Sequence, residues 1–399
     1  MKRFLVLAIL SVLLFACQAV SSIGIFAIPT PTIIASPLGT GTPVPILTAT
    51  TTLTPNASPS SALQYPAEGY GPSNFPAHID PLTGLPVSDV SLLERRPMII
   101  KVSNLPRNIR PQWGLSQADH VYEYYTEEGT TRFAAVFYGQ DVKMVGPIRS
   151  GRFFDNHLIK MYRGNFAFGS ADYRVRNLLF NQDYADRLVI ESSCPPMCRF
   201  EPNGANALVT NTTDLTNYIN GRKVQGGNGR QNLDGLLFRR QLPYDGTPAN
   251  RVYVRYSSAI YNRWDYDAAS GKYLRFSDKD NDLEGGKNEV YVPLTDRLTD
   301  RQISADNLLV LYVPHSYYSR KPEVIDIVMA GPGRATLFRD GQSYELTWLR
   351  QTENALFNLA TPDGKVFPLK PGNTFIEILG ASSRLQSNPP EWRFTFQIP

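Results

Sequence analysis

Arg132, Arg149 and Arg152 fall in two short runs, Gly129-Thr130-Thr131-Arg132-Phe133 and Gly146-Pro147-Ile148-Arg149-Ser150-Gly151-Arg152. A guanidinium is planar, permanently charged and presents forked N–H donors that match the oxygens of a phosphate or carboxylate. The second run reads as a turn that opens a helix, and a helix start offers unpaired amides at the positive end of its dipole. Arg132, Arg149, Ser150, Gly151 and Arg152 are therefore candidate ligand-binding residues for an anion such as a wall-polymer group. The competing reading is internal: the arginines pair with Glu123, Glu128 or Asp155 and fix the fold.

Carboxylates nearby raise the alternative of glycan hydrolysis. Glu123, Glu127, Glu128, Asp155 and Asp172 are the available acids, with Glu128 and Asp155 the catalytic candidates, and their separation decides whether that chemistry is possible. Ser150 and His157 form a serine–histidine pair at a spacing that leaves their geometry unspecified. Four histidines in the chain make a histidine-built metal centre improbable, so no cofactor is expected. Asp278, Asp280, Asp282 and Glu289 hold positions one, three, five and twelve of a calcium-type loop, but Leu283 takes the sixth position, where glycine makes the turn. A solvated acidic loop competes with calcium there.

These residues need elements to place them. Arg96–Val102, Val121–Tyr125 and Arg132–Tyr138 read as strands, the last two joined through Thr126–Thr130. A helix follows over Arg152–Tyr162, then a strand at Phe166–Phe168 and a helix capped by Ser170. Strands at Leu188–Ile190 and Ala207–Val209 precede a helix capped by Thr213 or Asp214 and stopping at Gly221. Beyond Gln225–Arg230, a flexible joint, nearly every segment reads as strand, with Asp340-Gly341 and Asp363-Gly364 as hairpin signals. The fold class expected is α+β: a mixed α/β domain over 78–224, a linker at 225–235, and a β-rich sandwich or barrel-like domain over 236–399. Tyr261, Trp264, Tyr266, Tyr317 and Tyr318 are either core or an aromatic face for sugars or a partner protein.

The beginning of the chain fixes the expected compartment. Lys2 and Arg3 precede an apolar run to Ala16 that is short for a membrane span, the pattern of a signal peptide over 1–16. Leu14-Phe15-Ala16-Cys17 resembles a bacterial lipobox, which makes Cys17 the lipidation site; an uncleaved anchor is the alternative. Gln18–Ala67 carries no charge and is rich in Thr, Pro and Ser, so 17–67 is expected to be a disordered stalk behind the lipid, holding the folded part off the membrane. Without Lys2 and Arg3 the chain has 38 basic and 36 acidic residues, a balance that argues against nucleic acid as a partner. Cys194 and Cys198 then remain as an even pair in an oxidising space, read as a small disulfide loop.

Pro81-Leu82-Thr83-Gly84-Leu85-Pro86, Arg95-Arg96-Pro97, Arg110-Pro111-Gln112, Gly114-Leu115-Ser116-Gln117-Ala118-Asp119 and the two arginine runs together resemble the YerB-like lipoproteins, built on domain of unknown function 3048. Arg339-Asp340-Gly341, Thr347-Trp348 and Leu369-Lys370-Pro371-Gly372-Asn373-Thr374 resemble the family's second domain. The resemblance implies two domains tethered to the outer face of the bacterial cell membrane, with no assigned reaction. It also implies a Pro-His-Asn stretch, where this chain has Asn203-Gly204-Ala205-Asn206, Ala205 standing in the histidine's place. The expectation is a lipoprotein that binds an anionic cell-wall polymer or an envelope protein, the carboxylate hydrolase being the alternative.

Overall fold

The computed structural model describes residues 65–398, apart from 192, 193, 202, 203 and 205. The expected signal peptide, Cys17, nearly all of the stalk, and Ala205 with Asn203 lie outside the described residues. The described residues belong to one compact unit.

The first half supplies β1 (Met98–Ser103), β2 (His120–Tyr125), β3 (Thr131–Phe137), α1 (Asp155–Tyr162), β4 (Asn165–Phe168), α2 (Tyr173–Phe180), β5 (Leu188–Ile190), β6 (Met197–Arg199), β7 (Leu208–Thr210) and α3 (Thr212–Asn220). After it come strands: β8 (Thr247–Pro248), β9 (Arg251–Arg255), β10 (Tyr261–Asp267), β11 (Lys272–Asp278), β12 (Tyr291–Pro293), β13 (Ser304–Ala305) and β14 (Asn307–Val313). The chain continues with β15 (His315–Arg320), β16 (Glu323–Ile327), β17 (Gly331–Arg339), β18 (Gln342–Arg350), β19 (Asn358–Ala360), β20 (Thr374–Gly380), β21 (Arg384–Asn388) and β22 (Glu391–Thr395). The α+β class thus holds, with a mixed first segment and a β-rich second one. Asp340-Gly341 turns β17 into β18 with both residues at positive φ, as the hairpin signal requires.

The segments share their main sheet. Its order is β19-β18-β17-β14-β20-β2-β3-β1-β4-β5, so β20 of the second segment lies between β14 and β2, parallel to both. Every residue of β1, β2, β14 and β20 is buried, the condition of strands covered on both faces. A second sheet, β12-β11-β10-β9-β22-β21, covers one face. Its β9 alternates, with Val252 and Val254 buried between half-buried neighbours, as a one-sided strand should. The segment expected as a flexible joint is hydrogen-bonded to the first half: Arg96 Nε donates to Gly227 O at 2.7 Å and Asn228 Nδ2 to Ile219 O at 3.1 Å.

Side-chain caps differ from expectation. Asp172, not Ser170, caps α2 by accepting the Arg174 amide at 2.9 Å. Asn211, not Thr213 or Asp214, caps α3 by accepting the Asp214 amide at 2.7 Å. Both are short Asx side chains, which reach the second or third amide well. The aromatic face also divides: Tyr261 and Trp264 are core, while Tyr318 is exposed. Cys194 and Cys198 are bonded, closing the loop that leads into β6.

Between the sheets lies a sealed charge cluster. Glu123 on β2 and Glu377 on β20 are register partners and both face Arg275 of β11, which donates to Glu123 Oε2 at 2.6 Å and to Glu377 Oε1 at 3.2 Å. Trp264 Nε1 donates to Glu377 Oε1 at 3.0 Å, and Asn104 and Thr131 donate to Glu123 Oε1. The Tyr256 hydroxyl stands 3.0 Å from the Glu123 main-chain oxygen and 3.0 Å from Glu377 Oε2. Its single proton goes to the carbonyl, which can only accept; Glu377 Oε2 must then donate. Burial, with the charge of Glu123 behind it, moves the Glu377 carboxyl from its usual 4.5 to about 8.

A carboxyl that holds its proton more tightly folded than unfolded makes stability fall as pH rises from about 4.5 to about 8, and leaves it flat above. Glu377→Gln keeps the acceptor for Trp264 and a donor for Tyr256 without a titrating proton. Urea midpoints measured across this range should decline for the wild type and decline less for Glu377→Gln. Arg275→Met, which leaves two buried acids without their cation, should cost about 3–5 kcal/mol.

Candidate functional site

The arginine turn is held at the edge of β1. Ile148 bridges Val102, Val145 bridges Thr210, and the Arg149 amide donates to Lys101 O at 3.0 Å. Gly146, at φ +155°, passes so close to β7 that a Cβ would stand 2.9 Å from Val209 Cγ1, which is why the turn carries glycine here. Arg132 arrives from β3, where its register partners are Ser103 and Tyr124. All three arginines reach one neighbourhood, as the sequence suggested.

Their partner is Glu127, not Glu128. Arg132 Nη2 lies 3.0 Å from Glu127 Oε1, Arg152 Nε donates to Oε2 at 2.6 Å, and Arg152 Nη2 also bonds Oε1. Burial works to raise the Glu127 carboxyl, but the Arg152 hydrogen bond and the charges of Arg152 and Arg132 outweigh it and leave it below the usual range. Glu128 sits at φ +47° in the β2–β3 turn and is exposed. The turn geometry decides this: one residue of the Glu-Glu pair faces the arginines and the next faces water.

Arg149 is different. Its Nε donates to Ser103 Oγ at 3.2 Å, and among the described residues no carboxylate lies within ion-pair distance of it. Burial, then the charge of Arg152, lowers its pKa; burial, then Arg152, takes Arg132 down to about 9. Two guanidiniums thus share one acid while the third has none, and the cluster carries an excess of two positive charges.

The expected amide nest is closed. α1 begins at Asp155, and the Arg152 amide donates to the Asp155 carboxylate at 2.7 Å while the Gly151 amide donates to Ser170 O at 2.8 Å. Arg152 and Arg132 spend their terminal nitrogens on Glu127 and on the Ser150 and Gly151 carbonyls, so among the described residues Arg149, bonded through Nε alone, is the guanidinium with donors to spare. Asp155 itself is sealed, bonded to Lys101 and to the Tyr124 hydroxyl, so it does not pair with Glu128 as a hydrolytic dyad. Ser150 Oγ meets Ser170 Oγ at 3.0 Å, whereas His157 is held by Arg350 at 3.1 Å; burial, then Arg350, brings that imidazole down to about 4.

Beside the cluster opens a cleft of about 400 Å³ whose charged lining is Arg152 with Glu127, Glu128, Asp172 and Glu323; Arg132 and Arg149 stand behind it. Glu323 belongs to the β15–β16 hairpin, which among the described residues forms a two-stranded sheet of its own. It docks by accepting the Tyr125 hydroxyl at 3.0 Å and the Glu128 amide at 2.6 Å, and Tyr318 packs on Phe153 with centroids 4.9 Å apart. Nothing in the local sequence foretold this wall. Lys101 was also missed, although a lysine inside Met98-Ile99-Ile100-Lys101-Val102 is the kind of interruption that marks a buried charge.

The calcium spacing serves arginines instead. Asp278 accepts Arg107 at 2.6 Å and Arg110 at 3.0 Å; Asp282 accepts Arg255 at 2.7 Å; Glu289 accepts Arg255 at 2.9 Å and Arg393 at 2.7 Å. Asp280 is exposed. Among the described residues no three His, Cys, Asp or Glu side chains are placed to hold a metal ion.

An α+β unit with two large sheets and an arginine cluster at a strand-to-helix turn, beside an open cleft, is the class these observations define. Residues 82–225 match the family described as protein of unknown function (DUF3048), N-terminal domain, and residues 252–376 match its C-terminal domain. The chain is 30% identical over 308 residues to the Bacillus subtilis (strain 168) protein named "Putative lipoprotein YerB", covering 75% of this chain and 85% of that one. The crystal structure of YerB from Bacillus subtilis superposes with a TM-score of 0.62 at 26% identity, over 75% of this chain and 96% of that chain. The chain belongs to the DUF3048 family.

Glu127→Gln should leave Arg132 and Arg152 without their acid and lower stability by about 1–3 kcal/mol, while Glu128→Gln should stay within about 0.5 kcal/mol of wild type. Chemical denaturation of the two variants compares them directly; equal effects would contradict the assignment.

Proposed function

We propose that this protein is a membrane-anchored lipoprotein of the bacterial cell envelope that binds an anionic wall-polymer group at Arg149 and Arg152. Anchoring rests on the chain's own Lys2-Arg3, apolar run and Leu14-Phe15-Ala16-Cys17, in line with the word lipoprotein in the name of its Bacillus subtilis relative. The observation that carries the binding role is Arg149, a half-buried guanidinium without a carboxylate among the described residues, next to two arginines that share Glu127. A cation fixing the fold is normally given its acid. One held beside like charges, with donors to spare, is arranged for an anion from outside. Such a ligand would add the missing negative charge.

The test is co-sedimentation of the detergent-solubilised full chain with purified peptidoglycan carrying or stripped of its anionic polymers. Retention should require the polymers and weaken with salt, because the contacts are partly exposed. Arg149→Ala should weaken retention about tenfold, equivalent to about 1.4 kcal/mol, with its thermal midpoint close to wild type. Undiminished retention by Arg149→Ala would overturn the reading.

A further inference from the structure

Beneath the arginine cluster, Lys101 of β1 and Asp155 of α1 meet out of reach of solvent. Both side chains are 0% exposed and Nζ stands 3.2 Å from Oδ1. Among the described residues this is the one lysine–carboxylate pair sealed on both sides; Lys160–Glu353, Lys272–Asp306, Lys365–Asp363 and Lys370–Asp340 all keep solvent contact. Aromatic rings surround it: Nζ lies 3.8 Å from the Tyr124 centroid, and Phe154 packs edge-on against that ring.

Such surroundings disfavour separated charge. Burial brings the Lys101 amine down to about 7, the Arg132 and Arg152 charges pushing the same way against Asp155, and burial raises the Asp155 carboxyl. Amine beside carboxylic acid is one internal proton transfer from the ion pair, with the net charge unchanged. The other contacts of Asp155 match what acyl transfer requires. Oδ2 accepts the Arg152 amide at 2.7 Å, the place of an oxyanion donor. Oδ1 accepts the Tyr124 hydroxyl, a proton relay for a departing oxygen.

We propose that Lys101 and Asp155 condense into an intramolecular isopeptide bond that ties β1 to α1. The Nζ lone pair forms the bond to Asp155 Cγ, and the carbonyl electron pair moves onto Oδ2, held by the Arg152 N–H. When that pair returns, the Cγ–Oδ1 bond breaks and Oδ1 leaves as water, with its own proton and one lost by Nζ through the Tyr124 hydroxyl. The products are a secondary amide and one water, and no other reactant is consumed. Holding both groups in contact replaces a bimolecular encounter, and once the released water has escaped to solvent the sealed surroundings keep out the water that the reverse reaction needs.

Tryptic peptides of the purified full chain, reduced and denatured, decide the matter by mass spectrometry. The wild type should give Arg96–Arg107, uncut after Lys101, joined to Phe153–Lys160 at the summed mass less one water. Lys101→Arg, whose guanidinium is not a nucleophile, should give separate peptides. Asp155→Asn should give the same linked product as wild type, because it expels ammonia instead of water. Wild-type peptides that are unlinked and cleaved after Lys101 would overturn the proposal, whatever the variants do.

Discussion

A single guanidinium serving two carboxylates sets the terms for this structure. Arg275 projects from the second sheet between Glu123 and Glu377, which neighbour one another on parallel strands of the main sheet. In a low-dielectric interior two ionised acids against one cation are costly, and burial, with the charge of Glu123 behind it, raises the Glu377 carboxyl. The cluster also fixes registration. A one-residue slip of β20 against β2 would turn Glu377 towards the helices and strand it without Arg275. The strand from the far end of the chain is thereby bound into the sheet begun by the first segment, and the stretch between the two family matches is a passage along one core.

The arginine cluster presents the opposite imbalance at the opposite place. There the excess is positive, two guanidiniums to Glu127 and a third, Arg149, without an acid, and it lies beside an open cleft. A buried excess of acid is settled with a proton because nothing else can reach it. A cationic excess beside solvent can be settled by an anion from outside, and arginine cannot shed its proton instead. The same electrostatic rule, applied at two depths, separates the part of the molecule that holds the fold from the part available for binding. Lys101 and Asp155 lie between them, balanced in charge and closed to water.

The β15–β16 hairpin links these regions. Among the described residues it pairs with no other strand, yet Glu323 reaches the β2–β3 turn and Tyr318 covers Phe153. One wall of the cleft thus comes from the second segment, although the arginines all come from the first. The site is a joint product of both, as the main sheet is.

Much of the secondary structure was legible from local pattern. The buried strands announced themselves as apolar runs, Asp340-Gly341 as a hairpin, and the three arginines as a group, because each depends on neighbours in sequence. The nearness of Arg132 to Arg149 came from the pairing of β3 with β1, which sets both beside Ser103. What local pattern could not settle was pairing between residues far apart: that Glu127 rather than Glu128 takes the arginines, that Asp278, Asp282 and Glu289 meet Arg107, Arg110, Arg255 and Arg393 rather than calcium, and that Asp155 is sealed against Lys101. Each is a competition for one charged group among several candidates of equal chemistry. Composition and spacing supply the candidates; only the packed chain brings one of them within hydrogen-bond distance and excludes water from the rest.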